Sequence, residues 1–200
     1  MKHSQISKYV TLALLSAIIV VLQLLAGSLK IGPISFTLVL IPIVVGSAFY
    51  GKGAGAILGG VFGLIVYIGC VNGTDVGGNI LFNANPYICL FVCMLKGCMC
   101  GFCAGAVYAL CLKLFANNRC RSQIAVIFSA ITAPIVNTGL FCLCMALFYQ
   151  DILVEWAAGE NVFVYMIVGL TGINFLVELG INLVSAPAIT TIIQAVKKRR

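Results

Sequence analysis

Residues 86–115 read PYICLFVCMLKGCMCGFCAGAVYALCLKLF, thirty positions whose only charges are Lys96 and Lys113. A soluble helix of that length would present a charged face to water, and this one has none. About 20 apolar residues are enough for a helix to cross a bilayer, so the run exceeds one crossing and must tilt, kink or extend beyond the lipid. Outward from it, polar and Gly/Pro punctuation divides the 200-residue chain into five further apolar segments at 9–29, 34–50, 54–71, 124–149 and 162–196, the last with a kink expected at Pro187. The whole composition agrees. Hydrophobic residues make up 62% and charged residues 8%, against roughly 25% charged in soluble domains; mean hydropathy is +1.15. So few charges cannot coat a water-soluble surface on so apolar a chain, which excludes soluble enzymes, nucleic-acid modules and disordered proteins. The expectation is a single domain over 1–200: an all-α integral membrane protein, a six-helix bundle in the cell membrane.

Lys2 and Lys8 precede the first segment as they would in a signal peptide, but an apolar run of about 20 residues exceeds a signal core of 7–15. The segment is read as a retained span. With the N-terminus in the cytoplasm, alternation places Lys2, Lys8, Lys52, Lys113, Arg119, Arg121 and the terminal Lys197-Lys198-Arg199-Arg200 inside, ten of the twelve basic residues. Lys30 falls outside and Lys96 within a span. Asp75, Asp151, Glu155 and Glu160 all fall outside. Six spans with both termini inside therefore satisfy the positive-inside rule, and the net charge of +7 is a topology signal rather than a nucleic-acid footprint.

Nine of the ten cysteines lie in or beside apolar runs, with Cys120 in a basic loop; cysteine in lipid behaves as a small polarizable hydrophobe. Cys100 and Cys103 have C-x-x-C spacing but no nearby His, and His3 is the single histidine. No metal site is expected.

The polar residues within the spans carry the functional information, because each is costly there without a partner or a role. Gln23, Thr37, Asn72, Lys96, Asn137 and Glu178 each lie roughly 15–20 residues from the basic residue marking the cytoplasmic end of their segment, about 22–30 Å of helix. Six helices would thus share one polar storey open to the outside above an apolar inner half. A pore needs polar lining throughout its depth, whereas a cup sealed below suits capture. Lys96 would attract a carboxylate or phosphate, or pair with Glu178. Asn174, Glu178 and Asn182 recur every four residues along one helix face. The glycine-rich segment 73–79, ending in Asn79, and the Lys30-Ile31-Gly32-Pro33 turn would lie over the cup as lids. Gly97, Gly101 and Gly105, with Gly51, Gly55, Gly59 and Gly63, have the spacing of close helix contacts. Ala13 and Ala17 form a similar pair, which composition assigns to internal packing.

Ile34-Ser-Phe-Thr-Leu-Val-Leu-Ile-Pro42, Gly46, Gly51-Lys-Gly-Ala-Gly55, Lys96-Gly97 with Gly101 and Gly105, and Ala133-Pro-Ile-Val-Asn-Thr138 follow one another in an order that resembles the substrate-capture subunit (S component) of an energy-coupling factor vitamin transporter. Where such proteins commonly carry Gly-Pro, this chain has Gly51-Lys52. The resemblance implies a six-helix subunit, not an enzyme and without a cofactor. It would bind a vitamin from outside and work with a transmembrane coupling protein and two cytoplasmic ATPases. The polar storey and its lid supply the expected binding set, Gln23, Thr37, Asn72, Asn79, Lys96, Asn137, Asn174 and Glu178, and the resemblance adds that Ala13 and Ala17 match an A-x-x-x-A that docks on the coupling protein. The chain has no G-x-x-x-x-G-K-[ST] loop, so ATP hydrolysis falls to partners. Pantothenate is favoured over riboflavin or folate by Lys96. Two other readings stand beside this one: a proton-coupled secondary carrier titrating Glu178, and a redox enzyme using Cys100 and Cys103.

Overall fold

The computed structural model of the chain describes residues 2–26, 30–31, 34–35 and 38–198, with side chains over 5–25 and 38–195. Thr37 and the Gly32-Pro33 turn lie outside the described residues. Helix α1 (Lys2–Ala26) is followed by a minimal hairpin of β1 (Lys30–Ile31) and β2 (Ile34–Ser35), antiparallel with Lys30 opposite Ser35. Then come α2 (Leu40–Tyr50), α3 (Lys52–Val71), α4 (Val76–Ala84), α5 (Pro86–Leu114), α6 (Arg121–Phe148) and α7 (Gln150–Ala157). A short α8 (Val162–Val164) runs into a π turn (Tyr165–Leu170), and α9 (Gly172–Lys198) follows it.

Among the described residues, five helices are long and apolar enough to cross a membrane: Gln5–Leu25 of α1, then α3, α5, α6 and Gly172–Ala195 of α9. The pair formed by α7 and Val162–Leu170, bent by 94°, makes a sixth only if counted as one broken span. The apolar segments at 34–50 and 162–196 are therefore not each one continuous helix. The first yields only the 11 residues of α2, about 16 Å of helix, because part of the apolar run is spent on the hairpin. The second is interrupted at Thr171, the C-cap of the π turn, whose hydroxyl donates to the Met166 carbonyl at 2.9 Å. The helix passes through Pro187 without a break. The glycine-rich segment is also more ordered than a loop. Asp75 accepts a hydrogen bond from Gly78 N at 3.1 Å and caps α4, which begins at Val76.

The centre of the bundle is the α3–α5 contact. A Cβ on Gly59 would collide with the Gly97 carbonyl, one on Gly97 with the Gly59 carbonyl, and Gly55 and Gly101 exclude each other's side chains in the same way. Backbone touches backbone along two turns, as small-residue spacing in lipid allows. Gly51, at φ 85°, permits the direct reversal from α2 into α3. On α1, Leu12, Leu15 and Ile19 are buried while Ala13 and Ala17 are exposed. The alanine pair faces away from the bundle, so the internal packing that composition suggested is not where it lies.

Replacing Gly59 by Leu sets a side chain against an unyielding carbonyl, and the cost should exceed the roughly 1–3 kcal/mol of ordinary overpacking. Gly139→Ala and Gly180→Ala, where nothing lies within 4 Å of the added atom, should be near neutral. Melting temperatures in detergent, read from the monodisperse fraction after heating, check both.

Candidate functional site

At the end of the bundle away from Lys52, Lys113 and Arg121, the helices enclose a cavity of about 370 Å³, within the usual range for small-molecule sites. Each side chain arrives by a different route. Gln23 comes from the last turn of α1, and Phe62, Val66 and Cys70 from successive turns of α3. Lys96 comes from the middle of α5, Asn137 and Phe141 from one face of α6, and Asn174 and Glu178 from one face of α9. Helix α4 covers the cavity from Val76 to Leu81, and Trp156 of α7 packs beside Gly77.

The cover is held in place by its own bonds. Tyr149, at the end of α6, donates its hydroxyl to the carbonyls of Leu81 at 3.3 Å and Asn85 at 3.2 Å. Asn85 caps α5 by accepting from Tyr87 N and Ile88 N, each at 3.1 Å, ahead of Pro86 at the first helical position. Asn79 donates its side-chain amide to the Cys70 carbonyl at 2.8 Å, tying α4 to the end of α3.

These bonds explain why two residues of the expected binding set are not on the cavity wall. Asn79 spends its amide on Cys70, and its Oδ1 accepts from Asn83 Nδ2 at 3.1 Å. Asn72 is the C-cap of α3, exposed at the turn into α4. Gln23, Lys96, Asn137, Asn174 and Glu178 are all on the wall. The wall also holds residues that a reading of polar groups within spans does not reach: Asp75, Trp156, Tyr165, Thr171 and three cysteines, Cys70, Cys89 and Cys93.

The polar groups on the wall are only partly satisfied. The Lys96 ammonium lies 5.2 Å from the centre of the Phe141 ring, a cation–π contact. Asn174 Nδ2 donates to Glu178 Oε1 at 3.4 Å, and Asn182 Nδ2 to the Glu178 carbonyl at 2.8 Å. This joins the three residues of the α9 row into one array around Glu178, which is 1% exposed. Gln23 Oε1, Asn137 Oδ1 and Asn174 Oδ1 are buried without a hydrogen-bond partner among the described residues. Buried polar atoms are rarely left so, and three of them on the wall of one cavity point to a polar occupant.

The floor is of opposite character. Ile43, Leu58, Ile189 and Ile193 are fully buried on the basic-residue side of the cavity. Three hydroxyls there are already used: Ser47 donates to Val44 O, Ser129 to Ala104 O and Thr190 to Ala186 O, each at 2.9 Å.

No curated protein matches the chain. The family described as "ECF transporter, substrate-specific component" matches residues 7–190, nearly the whole chain and every helix that lines the cavity. The chain belongs to that family, the substrate-specific components of energy-coupling factor (ECF) transporters: substrate-binding proteins of the plasma membrane, not enzymes, that associate with a module of a transmembrane component and ATPases.

Proposed function

We propose that this protein captures a carboxylate-bearing vitamin or related micronutrient from outside the cell and passes it to a transmembrane coupling protein driven by two cytoplasmic ATPases. The observation that carries this reading is the set of three orphaned amide oxygens sharing one cavity with Lys96 and Glu178. Lys96 receives the carboxylate. Gln23, Asn137 and Asn174 accept the solute's hydroxyl or amide protons, and Glu178 orients Asn174 through their hydrogen bond. Pantothenate, which combines a carboxylate with hydroxyls and an amide, fits that complement better than riboflavin or folate. Both termini face the cytoplasm in this arrangement, with the bundle crossing the membrane six times. The basic residues then mark the inner face and the cavity opens outward. Exposed Ala13 and Ala17 supply a flat strip on α1 against which the coupling protein packs.

The chain's single tryptophan, Trp156, lies on the cavity wall, so solute binding should change its fluorescence. Titration with pantothenate should saturate at one molecule per chain. Asn137→Ala and Lys96→Met should each weaken it roughly tenfold or more, the scale for losing a hydrogen bond to a charged group or stranding a buried partner. An unchanged affinity in both variants removes those residues from the site. Mass spectrometry of small molecules released from the purified protein identifies the solute independently.

Ala13→Leu and Ala17→Leu should abolish uptake by cells carrying the coupling module while leaving the fluorescence titration unchanged. Uptake that persists without the ATPases and collapses with the proton gradient would instead favour a proton-coupled carrier titrating Glu178.

A further inference from the structure

Cys70 lies in the last turn of α3, while Cys89 and Cys93 stand one helical turn apart on α5. The α3–α5 glycine contact brings them together: the three sulfur atoms lie within 4.8 Å of one another, and all three residues are buried. They are free thiols, and all three line the cavity. Among the described residues this is the one group of three or more Cys, His, Asp or Glu side chains with ligand atoms so close. Helix α4 approaches it closely at a glycine. A Cβ on Gly78 of α4 would collide with the Cys70 sulfur and press on the Asp75 carboxylate.

We propose that Cys70, Cys89 and Cys93 form a three-thiolate site for a soft d10 metal ion, Zn2+ in the first instance, with a fourth position open to the cavity. This goes beyond solute capture and does not depend on it. Thiolate ligands select such ions. Zinc–sulfur bonds of about 2.3 Å in a tetrahedron put the sulfurs roughly 3.8 Å apart. The trio therefore has to draw in by about 1 Å at most, which cysteine side-chain rotation can supply. Binding exchanges three S–H protons for three Zn–S bonds and releases the protons to solvent. The product carries one net negative charge. Lys96, three residues beyond Cys93 on the same face of α5 and on the same cavity wall, offsets it where an uncompensated charge would be costly. The fourth donor comes from the cavity, as water or as an oxygen of a captured solute, the arrangement of zinc sites that keep one position exchangeable.

The test uses the full-length protein in detergent, reduced and then freed of reductant, with Cd2+ alone as the probe, since its thiolate complexes absorb in the near ultraviolet. One Cd2+ per chain should bind with the absorption of three thiolates, be displaced by Zn2+, and protect Cys70, Cys89 and Cys93, but not Cys98, Cys103 or Cys120, from alkylation mapped by peptide mass spectrometry. Cys70→Ser, Cys89→Ser and Cys93→Ser should each lower Cd2+ affinity by at least about 100-fold, since even outer-shell losses reach that scale. Gly78→Ala should weaken it, and the double variant Cys98→Ser/Cys103→Ser should not. The alkylation pattern is read on the unmutated chain, so a variant that fails to fold does not spoil the test. Absence of the charge-transfer band, unchanged binding in the triple serine variant, or a disulfide joining Cys70 to Cys89 or Cys93 in protein purified without reductant would each overturn the proposal. None of these outcomes bears on solute capture, which the Trp156 titration reads separately.

Discussion

Helices α3 and α5 meet without side chains between them because Gly55 and Gly59 face Gly101 and Gly97, and Gly63 faces the Cys93 backbone. In lipid the apolar surfaces of two helices gain little by leaving the solvent, so association rests on close packing and on polar contacts between helices. A glycine seam supplies the closest packing available. It also sets the register of two long walls of the cavity, bringing Phe62, Val66 and Cys70 of α3 to the same space as Lys96, Cys93, Val92 and Cys89 of α5. With that register set, the remaining elements close the cavity. Helix α4 is pinned by Asp75, Asn79 and Tyr149, and the π turn and its end deliver Tyr165 and Thr171 to the wall.

Depth along each span was legible in the sequence, and direction around the helix was not. Counting from the basic residues brought Gln23, Lys96, Asn137 and Glu178 to one level, and the four-residue spacing added Asn174; all five reach one cavity. The same count could not separate a wall residue from a helix-end residue, so Asn72 entered the set although the backbone uses it as a C-cap, and Asn79, expected in a lid over the cup, is a tether between α4 and α3. Helix α5 was legible because its length and apolarity leave no alternative. Helix α2 was not, since an apolar run such as 34–50 is equally compatible with a hairpin leading into a short buried helix. Helix α4 was hidden by Gly77 and Gly78, which lower helix propensity but let the cover lie close over Cys70.

The cysteines show where composition stops being informative. As single residues in apolar runs they count as hydrophobes, and most are buried as such. What distinguishes Cys70, Cys89 and Cys93 is proximity across two helices, which follows from the glycine seam and not from any spacing within one segment. Cys89 and Cys93 at a four-residue interval were visible; their third partner at the end of the preceding span became visible only with the register. Trp156 and Tyr165 were obscured differently, because aromatic residues also gather at membrane interfaces for reasons unrelated to a site.

The contrast between wall and floor constrains how any occupant can leave. The residues of the wall carry unpaired amide oxygens and an ammonium, whereas Ser47, Ser129 and Thr190 below them are committed to carbonyls of the helices around them. A polar solute moving through the floor would exchange its bonds on the wall for contact with Ile43, Leu58, Ile189 and Ile193, a loss of several kcal/mol for each group stripped of partners. Release on the far side therefore calls for rearrangement or reorientation of the bundle rather than diffusion through it, and that work needs an energy source outside this chain. A family whose substrate-specific components associate with separate ATPases has that division of labour. The exposed strip at Ala13 and Ala17 lies on α1, the least buried of the five long spans, where a partner can bear on the bundle without disturbing the glycine seam that shapes the cavity.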